Sequence, residues 1–220
     1  MRFALPLAVM ALMAFAALPT GCSQNEADTT DTTRAKPAED ARSSAAEATD
    51  ATAEAAPDFT LQDQDGNEVS LSDYDGHIVV LEWINWDCPF VQRHYEAGTM
   101  KTLAEEYADD GVVWLAINST HYATQAKDRE WIEQYDLPYP ILHDPDGEVG
   151  HAYDAKTTPH MYIIDRDGGL VYEGAIDDDP RGNKDEPVNY VRKALDELLA
   201  GEDVSTPGTR PYGCTVKYAD

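Results

Sequence analysis

Residues 78–84 (IVVLEWI) and 112–117 (VVWLAI) are apolar at every position except Glu82. Short runs of this kind, rich in β-branched and aromatic residues, predict strands buried on both faces. Between them, residues 90–110 switch to helical spacing, with Phe90, Val91, His94, Tyr95, Leu103 and Tyr107 recurring at threes and fours; Gly98-Thr99 predicts a break or restart. Upstream, residues 56–77 alternate apolar and polar positions around Asp65-Gly66 and predict an N-terminal hairpin. Downstream, a helix is expected over 128–135, ending before Pro138, with a short strand over 140–143 and a short helix over 148–153. Residues 161–164 and 170–173 flank Asp167-Gly168 as a second hairpin. A last helix over 188–200 carries Val191, Ala194, Leu195, Leu198 and Leu199 on one face, with Gly201 as its stop. The fold class that follows is α/β, a central mixed β-sheet flanked by helices. Residues 202–220 read as an irregular tail.

The 220-residue chain opens differently. Residues 1–22 pair Arg2 with an apolar run of about 16 residues, short of the roughly 20 a bilayer span requires, so a cleaved export signal is expected. Leu18-Pro19-Thr20-Gly21-Cys22 resembles a bacterial lipobox, which makes Cys22 a candidate lipidation site; Ala14-Phe15-Ala16 offers ordinary cleavage instead. Residues 23–56 are rich in Ala, Thr, Asp and Glu and have no aromatic residue, so an acidic disordered tether is expected before a domain over 57–201. The expected location is exported, periplasmic or otherwise extracytoplasmic, held at a membrane if Cys22 is lipidated. A net charge of −26 speaks against a nucleic-acid partner. Four D-x-D-G stretches (63–66, 73–76, 144–147, 165–168) lack the ligands of a calcium loop and read as tight turns. Asp177-Asp178-Asp179 reads as a solvated turn.

Chemistry concentrates at NWDCPFVQRHY, residues 85–95. Proline suits the first helical position because its missing N–H has no partner there. Pro89 therefore makes Cys88 the expected N-cap, where unpaired amides and the positive helix end favour a thiolate. Arg93 and His94 are candidates for further positive charge. With Cys22 set apart, Cys88 and Cys214 are the two remaining thiols of three cysteines.

Together with VVWLAINS and TTPHMYIIDRDGGLVYEGAI, this stretch resembles the thioredoxin superfamily, and within it the redoxins, the alkyl-hydroperoxide-reductase/thiol-specific-antioxidant-like proteins. The resemblance spans about residues 56–201. It implies a thioredoxin-like fold and an oxidoreductase with Cys88 as nucleophile, performing thiol–disulfide exchange or peroxide reduction without an organic cofactor or metal. Glu82 then matches the buried proton acceptor behind the active cysteine, and Pro159 the cis-proline facing it. Thr158 would offer backbone groups to an extended substrate, with Asn85 and Pro89 completing the substrate site. Implied partners are a peroxide or a disulfide-bearing protein and an unidentified thiol reductant.

The sequence departs from the pattern in three places. Asn85 and Leu81 stand where peroxiredoxins carry Thr or Ser and Pro, and Val91 replaces the second cysteine of a CxxC pair. Cys214 is left as candidate resolving thiol. Two other readings stay open. A permanent Cys88–Cys214 disulfide would make the domain structural, closing a loop worth about 3–5 kcal/mol in the chain-entropy model. Cys88, His94 and His160 could instead form a thin copper-delivery site.

Overall fold

A computed structural model describes residues 53–219. The expected export signal, Cys22 and most of the tether lie outside them. The two all-apolar runs become β3 (Ile78–Trp83) and β4 (Val112–Asn118), parallel neighbours at the centre of a seven-stranded sheet. β5 (Ile141–His143) extends the parallel part beyond β4. On the other side β7 (His160–Ile164) and β8 (Leu170–Gly174) form the second hairpin, antiparallel to β3. The N-terminal hairpin, β1 (Thr60–Gln62) and β2 (Glu68–Ser70), joins the far edge through a Gln62–His143 pairing. The order is β2-β1-β5-β4-β3-β7-β8, a mixed sheet as expected.

Side-chain alternation along β3 splits the core in two. Ile78, Val80 and Ile84 face a layer built from α1 (Pro89–Glu96), α2 (Thr99–Tyr107), α3 (Gln125–Tyr135) and α5 (Tyr190–Leu199). Val79, Leu81 and Trp83 face α4 (Glu148–Ala152) and the N-terminal hairpin. Each such side chain stabilises the fold by about 1.5–3 kcal/mol on burial. The expected break between α1 and α2 falls at Gly98, whose left-handed φ of 69° ends one helix and starts the next. α3 begins three residues earlier than its spacing suggested, because Thr124 caps it by accepting from the Lys127 amide. Among the described residues no helix is long and apolar enough to cross a membrane.

One boundary needs correction. Ordered pairing begins inside the expected 23–56 tether: Ala55 bridges Gly169, and the Leu170 amide donates to Glu54. These residues satisfy backbone groups at the tip of the β7–β8 hairpin. The tail is irregular as expected except at one point. Its Cys214–Thr215 forms β9, antiparallel to β6 (Thr157–Thr158), with Thr157 opposite Thr215 and Thr158 opposite Cys214. The D-x-D-G stretches are turns: Asp63 and Asp165 each accept backbone amides from the residues that follow.

Candidate active site

The register of the sheet assembles the site. Trp83, the end of β3, pairs with His160, the start of β7. The chain leaving β3 and the chain entering β7 therefore lie side by side, and Cys88 meets Thr158. Cys88 is the N-cap of α1 with Pro89 at its first turn, as expected. The Thr158–Pro159 peptide is cis. Cys88 Sγ donates to the Thr158 carbonyl oxygen at 2.9 Å, a contact that belongs to the neutral thiol.

Cys88 and Cys214 are both free cysteines, and β6–β9 pairing brings them together. Burial pushes the Cys88 thiol up, but contacts from the Thr158 and Cys214 side chains and from the Val91 and Cys214 amides outweigh it, so its pKa lies below the ordinary value. Val91 supplies one of the unpaired amides at the helix start. No side-chain capping hydrogen bond closes at Cys88. The Thr158 hydroxyl, however, is buried without a partner and can turn to a sulfur anion. Cys214 shifts the opposite way, to about 11, through burial and then the neighbouring Cys88 sulfur. One thiol is prepared to ionise and the other to stay protonated.

Glu82 is fully buried in β3. Burial raises its pKa to about 8, only partly offset by the Trp114 indole, which donates to Oε2 at 3.0 Å, and by Tyr95. The Tyr95 hydroxyl lies close to the Glu82 carboxyl without a well-formed hydrogen bond, and it and Glu82 Oε1 are both buried without a partner. Glu82 does not figure among the groups that shift Cys88.

The side chains around Cys88 have other partners. Asn85 Oδ1 accepts from the Asp87 N–H at 2.7 Å and its Nδ2 donates to the Tyr122 hydroxyl. Its own demand for partners turns it into the brace of the loop carrying Cys88. Arg93 and His94 add no charge at Cys88. The guanidinium donates to the Asp179 and Pro180 carbonyls and to the Tyr212 hydroxyl. His94 is buried and neutral, its pKa held down to about 4 by burial. His160 is buried, its Nδ1 accepting from the Lys156 amide and bonded to the Tyr162 hydroxyl; its Nε2 has no hydrogen-bond partner and lies 3.5 Å from Glu173 Oε1. Among the described residues no group of three His, Cys, Asp or Glu side chains converges to hold a metal ion. Asp177 and Asp179 are likewise buried rather than solvated, and Asp177 Oδ1 accepts from the Tyr212 hydroxyl at 2.5 Å.

Tyr212 is the residue that sequence reasoning missed. It packs on Phe90 and beneath Arg93 and ties the tail to α1. The signal was present in RPYGC: an aromatic anchor and a glycine immediately before a cysteine.

Comparison with known proteins shows the family and the fold. The pattern of the AhpC/TSA family matches residues 52–173, more than half of the chain. The chain is 30% identical over 119 residues to the thiol-disulfide oxidoreductase ResA of Bacillus thuringiensis, covering 54% of this chain and 66% of that one. It is 33% identical over 130 residues to ResA of Oceanobacillus iheyensis, covering 56% and 65%. The match thus spans just under two thirds of these relatives. A conserved protein of Geobacillus kaustophilus, uncharacterised, superposes with a TM-score of 0.70 at 36% identity, over 76% of this chain and 92% of that one. A hypothetical protein of Sinorhizobium meliloti 1021 gives 0.70 at 32%, over 76% and 94%. A Chlorobium tepidum chain described as a candidate thiol:disulfide interchange protein DsbE gives 0.50 at 24%, over 56% and 83%, a likeness of fold alone. The chain belongs to the AhpC/TSA family, and its fold is thioredoxin-like.

Proposed function

We propose, from membership of the AhpC/TSA family, that this protein is a thiol-dependent oxidoreductase in which Cys88 is the nucleophile and Cys214 the resolving thiol. The observation that carries the reading is the pairing of β9 with β6, which sets Cys214 beside Cys88 although the two are far apart in sequence. The names of the ResA relatives point the same way.

With a hydroperoxide, the Cys88 thiolate attacks the terminal oxygen, the O–O bond breaks, and the leaving alkoxide takes up the proton Cys88 released on ionising, giving a sulfenic acid and an alcohol. With a disulfide, the thiolate attacks one sulfur and the other leaves as thiolate. In either case Cys214 then attacks the Cys88 sulfur. Water leaves in the first case and the substrate's thiolate in the second, and a Cys88–Cys214 disulfide forms. An external dithiol restores both thiols and becomes a disulfide itself. The pKa values give this sequence an order. Burial and then the neighbouring Cys88 sulfur hold Cys214 up, so oxidation of Cys88 removes the second of these and makes Cys214 readier to react.

Thr158 supplies the buried hydroxyl that steadies the sulfur anion, and Pro159 fixes the turn that presents it. Glu82, with a pKa of about 8, exchanges protons near neutrality and serves as the buried acceptor behind the site. The apolar run and cysteine of residues 1–22 support action outside the cytoplasm from a lipid-tethered position.

The test is turnover of hydrogen peroxide and of a small aromatic disulfide with a dithiol donor. Cys88→Ser abolishes both. Cys214→Ser leaves Cys88 trapped as sulfenic acid or mixed disulfide. Full activity in Cys88→Ser contradicts the reading.

A further inference from the structure

Cys88 is only 1% exposed, and the protein's own tail lies against it through Cys214. Residues 207–218 run past the site as one continuous strap, paired in turn with β8, β6 and the loops beside them. At one end the Thr209 amide donates to Glu173 on edge strand β8, and Glu173 donates back to Pro207. In the middle Cys214–Thr215 adds as an antiparallel strand to Thr157–Thr158, and the Val216 amide donates to Lys156. At the far end the His121 amide donates to Lys217, and the Tyr218 hydroxyl to Ala155. Tyr212, held by Asp177 and Arg93, anchors the approach to the thiol.

The fit is close at one point. A Cβ at Gly213 would stand 2.0 Å from the Thr158 carbonyl oxygen, and Gly213 has a φ of +142°. Only glycine lets the strap lie flat on the peptide that faces Cys88.

An extended polypeptide recognised by strand addition needs free main-chain groups along the edge it joins. Here the Thr157–Thr158 edge, next to the reactive sulfur, already has its partner. Resting on the redox reading above, we infer that residues 212–216 are a specificity-determining strap: by filling this edge they reserve Cys88 for low-molecular-weight oxidants and shut out disulfide-bonded polypeptides. The same strand that delivers the resolving thiol thereby selects the substrate by size.

Gly213→Val removes the fit while keeping Cys214, and Tyr212→Ala loosens the anchor by a separate route. Folding of each variant is checked by circular dichroism. Two readouts apply to the reduced protein. The first compares labelling of the Cys88 peptide by a small maleimide and by a long polyethylene-glycol maleimide. The second compares the rate of Cys88 consumption by insulin with that by hydrogen peroxide. In the wild type the small reagent wins in both comparisons. In the variants the two gaps narrow about tenfold, the scale expected for losing a net hydrogen bond or two from the strap. Equal labelling by both maleimides in the wild type, or an insulin-to-peroxide ratio unchanged in a folded variant, overturns the inference. If neither oxidant consumes Cys88 in any form while the labelling gap still narrows, the strap stands as a cover and it is the redox reading that fails.

Discussion

Replacing Glu82 by glutamine keeps the shape of the side chain and its acceptor for the Trp114 indole but removes the ionisable proton. The folded protein holds Glu82 at about 8, against an ordinary 4.5. The folded state therefore binds this proton more tightly than the unfolded chain. Its contribution is fully present below pH 4.5 and is lost as pH rises towards 8, because the unfolded chain ionises freely while the buried carboxyl cannot. Each pH unit in that window is worth about 1.4 kcal/mol. The ceiling is roughly 5 kcal/mol across the whole interval, a large share of a typical domain's stability. His94 and His160 are depressed to about 4 and slope the other way, mainly below pH 6.5. Comparing variant with wild type cancels them. Urea denaturation at half-unit steps from pH 5 to 8.5 is the assay. The stability difference in favour of Glu82→Gln should grow by about 2–3 kcal/mol between pH 6 and pH 8. Parallel curves for the two proteins would refute the reasoning and show that Glu82 already ionises at the ordinary pH.

Three further outcomes follow from the geometry. Iodoacetamide labelling across pH, resolved by peptide mass spectrometry, should give Cys88 a midpoint below 9.0 and Cys214 one near 11, the first pulled down by the Thr158, Val91 and Cys214 contacts and the second pushed up by burial. Asp128→Ala strips the partner from the Trp86 indole and the Asn118 amide, both at 2.9 Å; urea titration should show a loss of about 2–5 kcal/mol, since two buried donors are left unpaired. Tyr212→Phe keeps the ring against Phe90 but drops the hydroxyl bonded to Asp177; it should cost about 1–3 kcal/mol in the same titration.

The elements that were legible in the sequence are those set by local rules. β3 and β4 show as unbroken apolar runs because both faces of a central strand are covered. The placement of Cys88 follows from Pro89, and the helix break from Gly98, since each residue type restricts its own backbone. What was not legible depends on contacts distant along the chain. Helical spacing put His94 more than one turn past the cysteine but could not say that its ring would turn to Tyr212. Asn85 stood where peroxiredoxins carry Thr or Ser, but its position could not say that Oδ1 would accept from the Asp87 amide and Nδ2 reach Tyr122. The path of the tail was hidden most completely. Two residues of strand, Cys214 and Thr215, carry no periodicity to detect, and their partner edge is created only when β7 docks beside β3.

The account turns on two sulfurs meeting. Reduced full-length protein, treated with one equivalent of hydrogen peroxide and digested without reductant, should yield a single Cys88–Cys214 linked peptide, absent from Cys214→Ser. Recovery of wild-type Cys88 as sulfenic or sulfinic acid, or linked between chains, with Cys214 still a free thiol, would contradict it.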